Sequence, residues 1–173
     1  MTKQRITLIS LAGLLVFSLL FGGQMLYKRN WVNANILEQS RQIPGVVSAK
    51  VVEVNGQQEL DVVIGRITDL RQASAALSQL AGARPIRFLD SRNAKLEQLF
   101  NQMQFALQEG ISRGNFTEMA DRVSEQAEKA GVKLHLAMDS EAIYLVLNEG
   151  DAQLVAVLER HGQSRFLPSE KNS

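Results

Sequence analysis

Residues 6–26 (ITLISLAGLLVFSLLFGGQML) carry no charged side chain, and the first acidic residue in the chain is Glu38. At a rise of about 1.5 Å per residue a helix of that length reaches about 30 Å, the hydrocarbon thickness of a bilayer. The match predicts a transmembrane helix over 6–27 behind a short basic tail, 1–5, that holds Lys3 and Arg5. A cleaved signal peptide is the alternative, because those two bases also make a suitable start for one. The run is longer than a usual signal core, and Phe21 stands where cleavage wants a small residue, so the expectation is a retained anchor. Tyr27, Lys28, Arg29 and Trp31 fit a membrane interface, the rings at headgroup level and the long cations snorkelling outward. Basic residues flank both ends of the run. The expected arrangement keeps the tail in the cytoplasm, giving a single-pass protein of the cytoplasmic membrane with an extracytoplasmic body.

Beyond the run, the body is ordinary in composition and slightly acidic. Of the 19 Lys and Arg, four precede residue 30, so the rest are outnumbered by the 18 acids. That balance excludes a nucleic-acid partner as the main reading. The absence of cysteine excludes a disulfide scaffold, thiolate zinc and thiol catalysis.

Two stretches of the body share one element order. A short amphipathic helix, 35–43, is stopped by Pro44-Gly45. Val46–Val54 then reads as a strand, Asn55-Gly56 as a hairpin turn and Glu59–Ile64 as the return strand. Thr68 caps a helix bearing Leu70, Ala73, Leu77 and Leu80, and Pro85–Leu89 supplies a third strand. Further on, Asn115 and Glu118 have capping-box spacing, and Gly131 ends the helix that follows. Val132–Met138 alternates as a strand, Ile143–Leu147 returns, and Asp151 caps a helix with Leu154, Val155 and Leu158 before a last strand at 164–167. Arg87-Phe88-Leu89-Asp90-Ser91 and Arg165-Phe166-Leu167-Pro168-Ser169 agree at four of five positions. Same order, same junction glycines and this match together predict a duplication.

The expected fold is therefore α+β: an N-terminal transmembrane helix, then two tandem αββαβ two-layer modules over 33–90 and 115–168, with a flexible tail at 169–173. An amphipathic helix, 91–112, joins the modules. On it Leu96, Leu99, Phe100, Met103 and Leu107 form one apolar stripe, to be spent either on packing against a module or on contact with another chain.

A unit written helix–Pro-Gly-Val–strand–Asn-Gly–strand–helix–strand resembles the ring-building motif of membrane-anchored channel and ring proteins in sporulation and type III-like secretion. It is also similar to the small modules of sporulation lipoproteins and to BON domains. The residues that carry this are Ile43-Pro44-Gly45-Val46 with Ser48-Ala49, Val51–Val54 and Leu60–Ile64, repeated more loosely from Gly131-Val132. The resemblance implies assembly through the modules and carries no functional residue over.

Reactive chemistry is sparse. His135 falls on the polar face of a strand and His161 at a helix end, with no second histidine within a turn of either, so no metal site is expected. Asp121, Glu125 and Glu128 lie beside Arg122 and Lys129 and read as a solvated helix face. Arg84, Arg87, Arg92 and Lys95 form the one basic cluster, read as surface pairs. No cofactor, nucleic acid or small-molecule substrate is implied, and no enzyme. The function expected is a membrane-anchored structural protein that oligomerises or docks on another protein of a membrane complex; the alternative is a membrane-tethered module binding a ligand or peptide.

Overall fold

The computed structural model describes residues 35–160 and 165–172, and from Leu37 onward the chain forms a single unit. Residues 35–40 are helical, and Ser40 is buried with its hydroxyl donating to the Leu37 carbonyl at 2.9 Å. β1 (Val46–Val54) and β2 (Gln57–Ile64) follow as an antiparallel hairpin. Its turn is Asn55-Gly56 with φ of 51° and 78°, the two positive values that a type I′ turn requires. The helix α1 (Leu70–Ala81) then carries the chain over to β3 (Ile86–Asp90), which lies parallel to β2. Leu60, Val62, Ile86 and Phe88 are buried on one face of this sheet, and Leu70, Ala73, Leu77 and Ala81 are the buried stripe of α1. The cap of α1 is Asp69, whose carboxylate accepts the Gln72 N–H at 2.9 Å, rather than Thr68.

α2 (Ala94–Arg113) and α3 (Phe116–Lys129) form a helical hairpin through Gly114-Asn115. They pack tightly at Gly110, where a Cβ would sit 2.6 Å from Met119 Cβ. β4 (Lys133–Met138), β5 (Ala142–Glu149) and β6 (Ala152–Glu159) make a three-stranded antiparallel meander. One of its faces, with Ile143, Leu145, Leu147 and Leu154, packs with the buried residues of α2 and α3 in a single cluster.

Several expectations need correction. The helix expected after Asp151 is instead the strand β6 (Ala152–Glu159), so the second half is not an αββαβ module. Residues 165–172 do not close a second sheet. They run parallel to β3, as a bridge at Phe166 and then as β7 (Glu170–Lys171), and make the first sheet β1-β2-β3-β7. Phe166 is therefore not the counterpart of Phe88 in a repeat: the two rings stack on each other, centroids 5.9 Å apart. The tail expected at 169–173 thus contributes a strand.

The membrane reading is corrected as well. Among the described residues no helix is long and apolar enough to cross a membrane. The span 6–27, with Tyr27, Lys28, Arg29 and Trp31, lies outside those residues. The single-pass architecture, the membrane partner, the extracytoplasmic location and both membrane-attached functions therefore have no membrane-crossing helix among the described residues to rest on.

The two sheets are joined by side chains. Asp90, fully buried, accepts the Val155 N–H of β6 at 3.0 Å while the Arg92 guanidinium donates to both its oxygens at 2.7 Å. Ser91 Oγ accepts the Gln153 N–H at 3.1 Å, and Ser169 Oγ donates to the Val155 carbonyl at 2.5 Å. The Gln153 amide in turn accepts the Ile67 N–H at 2.9 Å and donates to the Ile67 carbonyl at 3.0 Å. Asp90, Arg92 and Gln153, the buried polar side chains of this junction, thereby keep partners, which is what burial demands of them.

Candidate interaction edge

Backbone bonding on a strand alternates from side to side, so one known pair fixes the phase of a whole antiparallel sheet. The hairpin between β4 and β5 is closed by the Asp139 N–H donating to the Ala142 carbonyl at 3.0 Å. Counting back in steps of two, Ala137, His135 and Lys133 face Tyr144, Val146 and Asn148 as hydrogen-bonded pairs. Leu134, Leu136 and Met138 therefore aim their N–H and C=O groups away from β5. The same count across the two-residue turn Gly150-Asp151 aims Gln153 and Val155 of β6 outward, and both are the residues whose N–H groups meet Ser91 and Asp90.

The two edges of this sheet are thus treated differently. The edge of β6 is covered by Asp90, Ser91 and Ser169. The edge of β4 is open: among the described residues no strand pairs with it. Such a row of unpaired groups is a template for another strand, and proteins usually blunt it with proline, bulges or inward charge. β4 (KLHLAM) carries no proline, no bulge and one charge, at its first residue.

A cleft flanks the edge on each face. On the side of α3 a groove of about 560 Å³ is lined by Ala120, Ala127, Val132, Leu134 and Leu136, with Ser124 and Glu128 as its polar members. On the side of α1 a cleft of about 440 Å³ has Asp69, Arg71, His135 and Tyr144 in its lining beside the apolar Leu70 and Val146. One face is therefore mainly apolar, and the other carries the charged and polar side chains among apolar ones. Met138, at the end of the strand, is one of the large hydrophobic residues left exposed, at 41%.

The turn that ends β4 is held firmly. Asp139 accepts the N–H groups of Glu141 and Ala142 at 2.8 and 2.9 Å and the Tyr144 hydroxyl at 3.0 Å. Burial pushes its carboxyl up, but these donors and the nearby Arg71 outweigh burial and leave it below the ordinary 3.8. Burial, together with the hydrogen bond to Asp139, pushes the Tyr144 phenol up to about 12. The template ends on a fixed corner rather than a frayed one.

The apolar stripe read from the sequence lies elsewhere. Leu96, Leu99, Met103 and Leu107 are buried in the cluster beneath α2, and Phe100 is half-buried beside it. Phe105, off the stripe, is 86% exposed. The four bases of the basic cluster are all engaged: Arg84 with Gln58, Arg87 with Glu59 and Glu170, Arg92 with Asp90, Lys95 with Glu149. His135 lines the polar cleft without a cluster of metal-ligating side chains, of which the described residues hold none; His161 lies outside them. Sequence reasoning found β4 and its alternation but not its standing as an edge, because strand order is a property of the sheet. No family model matches the chain, and neither does any curated protein or solved structure.

Proposed function

We propose that the chain is a protein-interaction module that takes up an extended segment as a fourth strand on the open edge of β4, and that it performs no catalysis. The observation that carries this reading is the row of outward backbone groups at Leu134, Leu136 and Met138, flanked by a groove on each face. Strand addition needs those two things together: main-chain groups for affinity and pockets for alternate side chains for selectivity. An added strand would send every second side chain into the apolar groove against α3 and the others toward Asp69, Arg71 and His135.

The experiment is selection of displayed random peptides on the full chain, followed by amide hydrogen exchange of the chain with each selected peptide. The expected result is slowed exchange at Leu134, Leu136 and Met138, with His135 and Ala137 unchanged because they are already bonded to β5. Selected peptides that protect none of those three amides, or a selection on the monomeric chain at high dilution that yields no binder, would overturn the reading.

A further inference from the structure

We infer that the segment taken up by this edge is β4 of a second copy, paired antiparallel about Leu136, so that two three-stranded sheets become one of six strands. The inference rests on the strand-addition reading and adds the identity and register of the added strand.

The register follows from phase. Only outward residues can exchange backbone bonds across the new interface, so Leu134, Leu136 and Met138 of one copy must face the same set in the other. Centring on Leu136 is the one antiparallel alignment that uses all three: Leu134 faces the partner's Met138, Leu136 faces the partner's Leu136, and Met138 faces the partner's Leu134. Two bonds per facing pair gives about six in total. Shifting the centre to His135 or to Ala137 leaves one outward residue of each copy outside the set.

Side-chain chemistry suits the same alignment. The outward residues place their side chains on the α3 face, where Leu134 and Leu136 already pack against the core cluster. Met138, exposed in the single chain, would lie against the partner's Leu134 in the groove lined by Ala120 and Ala127. That supplies the apolar cover which the groove and Met138 each lack. On the opposite face Lys133 comes opposite the partner's Asp139, with the partner's Glu141 next along the turn. Arg71 acts on Asp139 from within its own chain. Arg160, the other nearby cation, is engaged over the Phe116 ring at 4.4 Å and with the Asp139 carbonyl at 3.1 Å. Opposite charges directly across a strand pair are favourable and like charges are not. A two-fold pairing also closes on itself and leaves no β4 edge for a third copy.

The absence of cysteine supplies the test. Single-cysteine variants His135→Cys, Leu136→Cys and Ala137→Cys of the full chain are oxidised with copper phenanthroline at matched concentrations. Leu136 alone faces itself across the axis, at a Cα separation of about 5.5 Å that a disulfide spans. The expected result is a covalent dimer at least tenfold faster from Leu136→Cys than from the other two. Sedimentation of the unmodified chain should show a concentration-dependent dimer that Met138→Glu abolishes while circular dichroism is unchanged. If Met138→Glu loses its dichroism, Lys133→Glu, at an exposed position, replaces it and should weaken the dimer at least fivefold. A dimer whose crosslinking peaks at His135→Cys or Ala137→Cys overturns the register. A chain that stays monomeric overturns the second copy as occupant; peptides that still protect Leu134, Leu136 and Met138 would then show that strand addition itself stands.

Discussion

Replacing Asp90 with alanine should be among the most destabilising single changes in the protein. The carboxylate is fully buried and accepts the Arg92 N–H, Nε and Nη2 and the Val155 N–H, at 3.2, 2.7, 2.7 and 3.0 Å. Truncation strands the Arg92 guanidinium, itself 9% exposed, with only a hydrogen bond to Ser169 Oγ in place of its carboxylate, and leaves the β6 amide without an acceptor. Breaking a buried pair costs about 3–5 kcal/mol and orphaning a buried amide about 1–3. Both losses follow from one carboxylate, so they overlap, and about 4 kcal/mol is expected. Against a typical total of about 5–15 kcal/mol that is a large share. In urea, with a slope of about 2 kcal/mol per molar, the midpoint should fall by about 2 M at unchanged slope. The thermal midpoint should fall by about 12 °C. Far-ultraviolet circular dichroism follows both transitions. A cycle with Arg92→Ala isolates the pair: the double variant should be less destabilised than the two single changes added together, because removing both charges leaves neither one buried alone. A loss below about 1 kcal/mol, or strict additivity in the cycle, would refute the view that this pair joins the two sheets.

Gly110→Ala should destabilise by about 1–2 kcal/mol, the crowding against Met119 Cβ at 2.6 Å outweighing the gain in helix propensity; a higher melting temperature would contradict this. In a Tyr27→Phe variant Tyr144 is the only tyrosine, and its absorbance titration should inflect near 12 rather than 10. Because the folded value lies above the unfolded one, the stability that Tyr144 contributes is complete below pH 10 and is lost as pH rises toward 12, which urea midpoints across that range would show. At concentrations where the chain is monomeric, Ala137→Pro removes an N–H bonded to β5, whereas Met138→Pro removes one without a partner in its own sheet, so the first should lower the urea midpoint more than the second; equal losses would mean that the edge has been assigned to the wrong residues.

Much of the local structure needed nothing beyond the sequence. Asn55-Gly56 dictates its hairpin because few other dipeptides accept two positive φ values. The stripes of α1, α2 and α3 are readable because each helix buries one face and exposes the other. β4 is readable for the same reason: Lys133 and His135 are exposed while Leu134 and Leu136 are half-buried. β6 reads as helical in the sequence because Gln153 through Ala156 are all buried. A strand covered on both faces loses its period of two, and Leu154, Val155 and Leu158 then fall at helical spacing. The turn beside it held the missing signal, since Gly150, φ 56°, precedes Asp151 where a type II′ hairpin places glycine. Asp90 was also legible in part, because alternation sets it on the buried face with Ile86 and Phe88, where a carboxylate must find partners. Those partners, Arg92 apart, come from about 65 residues further along the chain. The parallel pairing of 165–172 with β3, the stacking of Phe166 on Phe88 and the open edge of β4 likewise depend on which segments end up side by side. Periodicity records which face of an element is covered, and only tertiary packing determines what covers it.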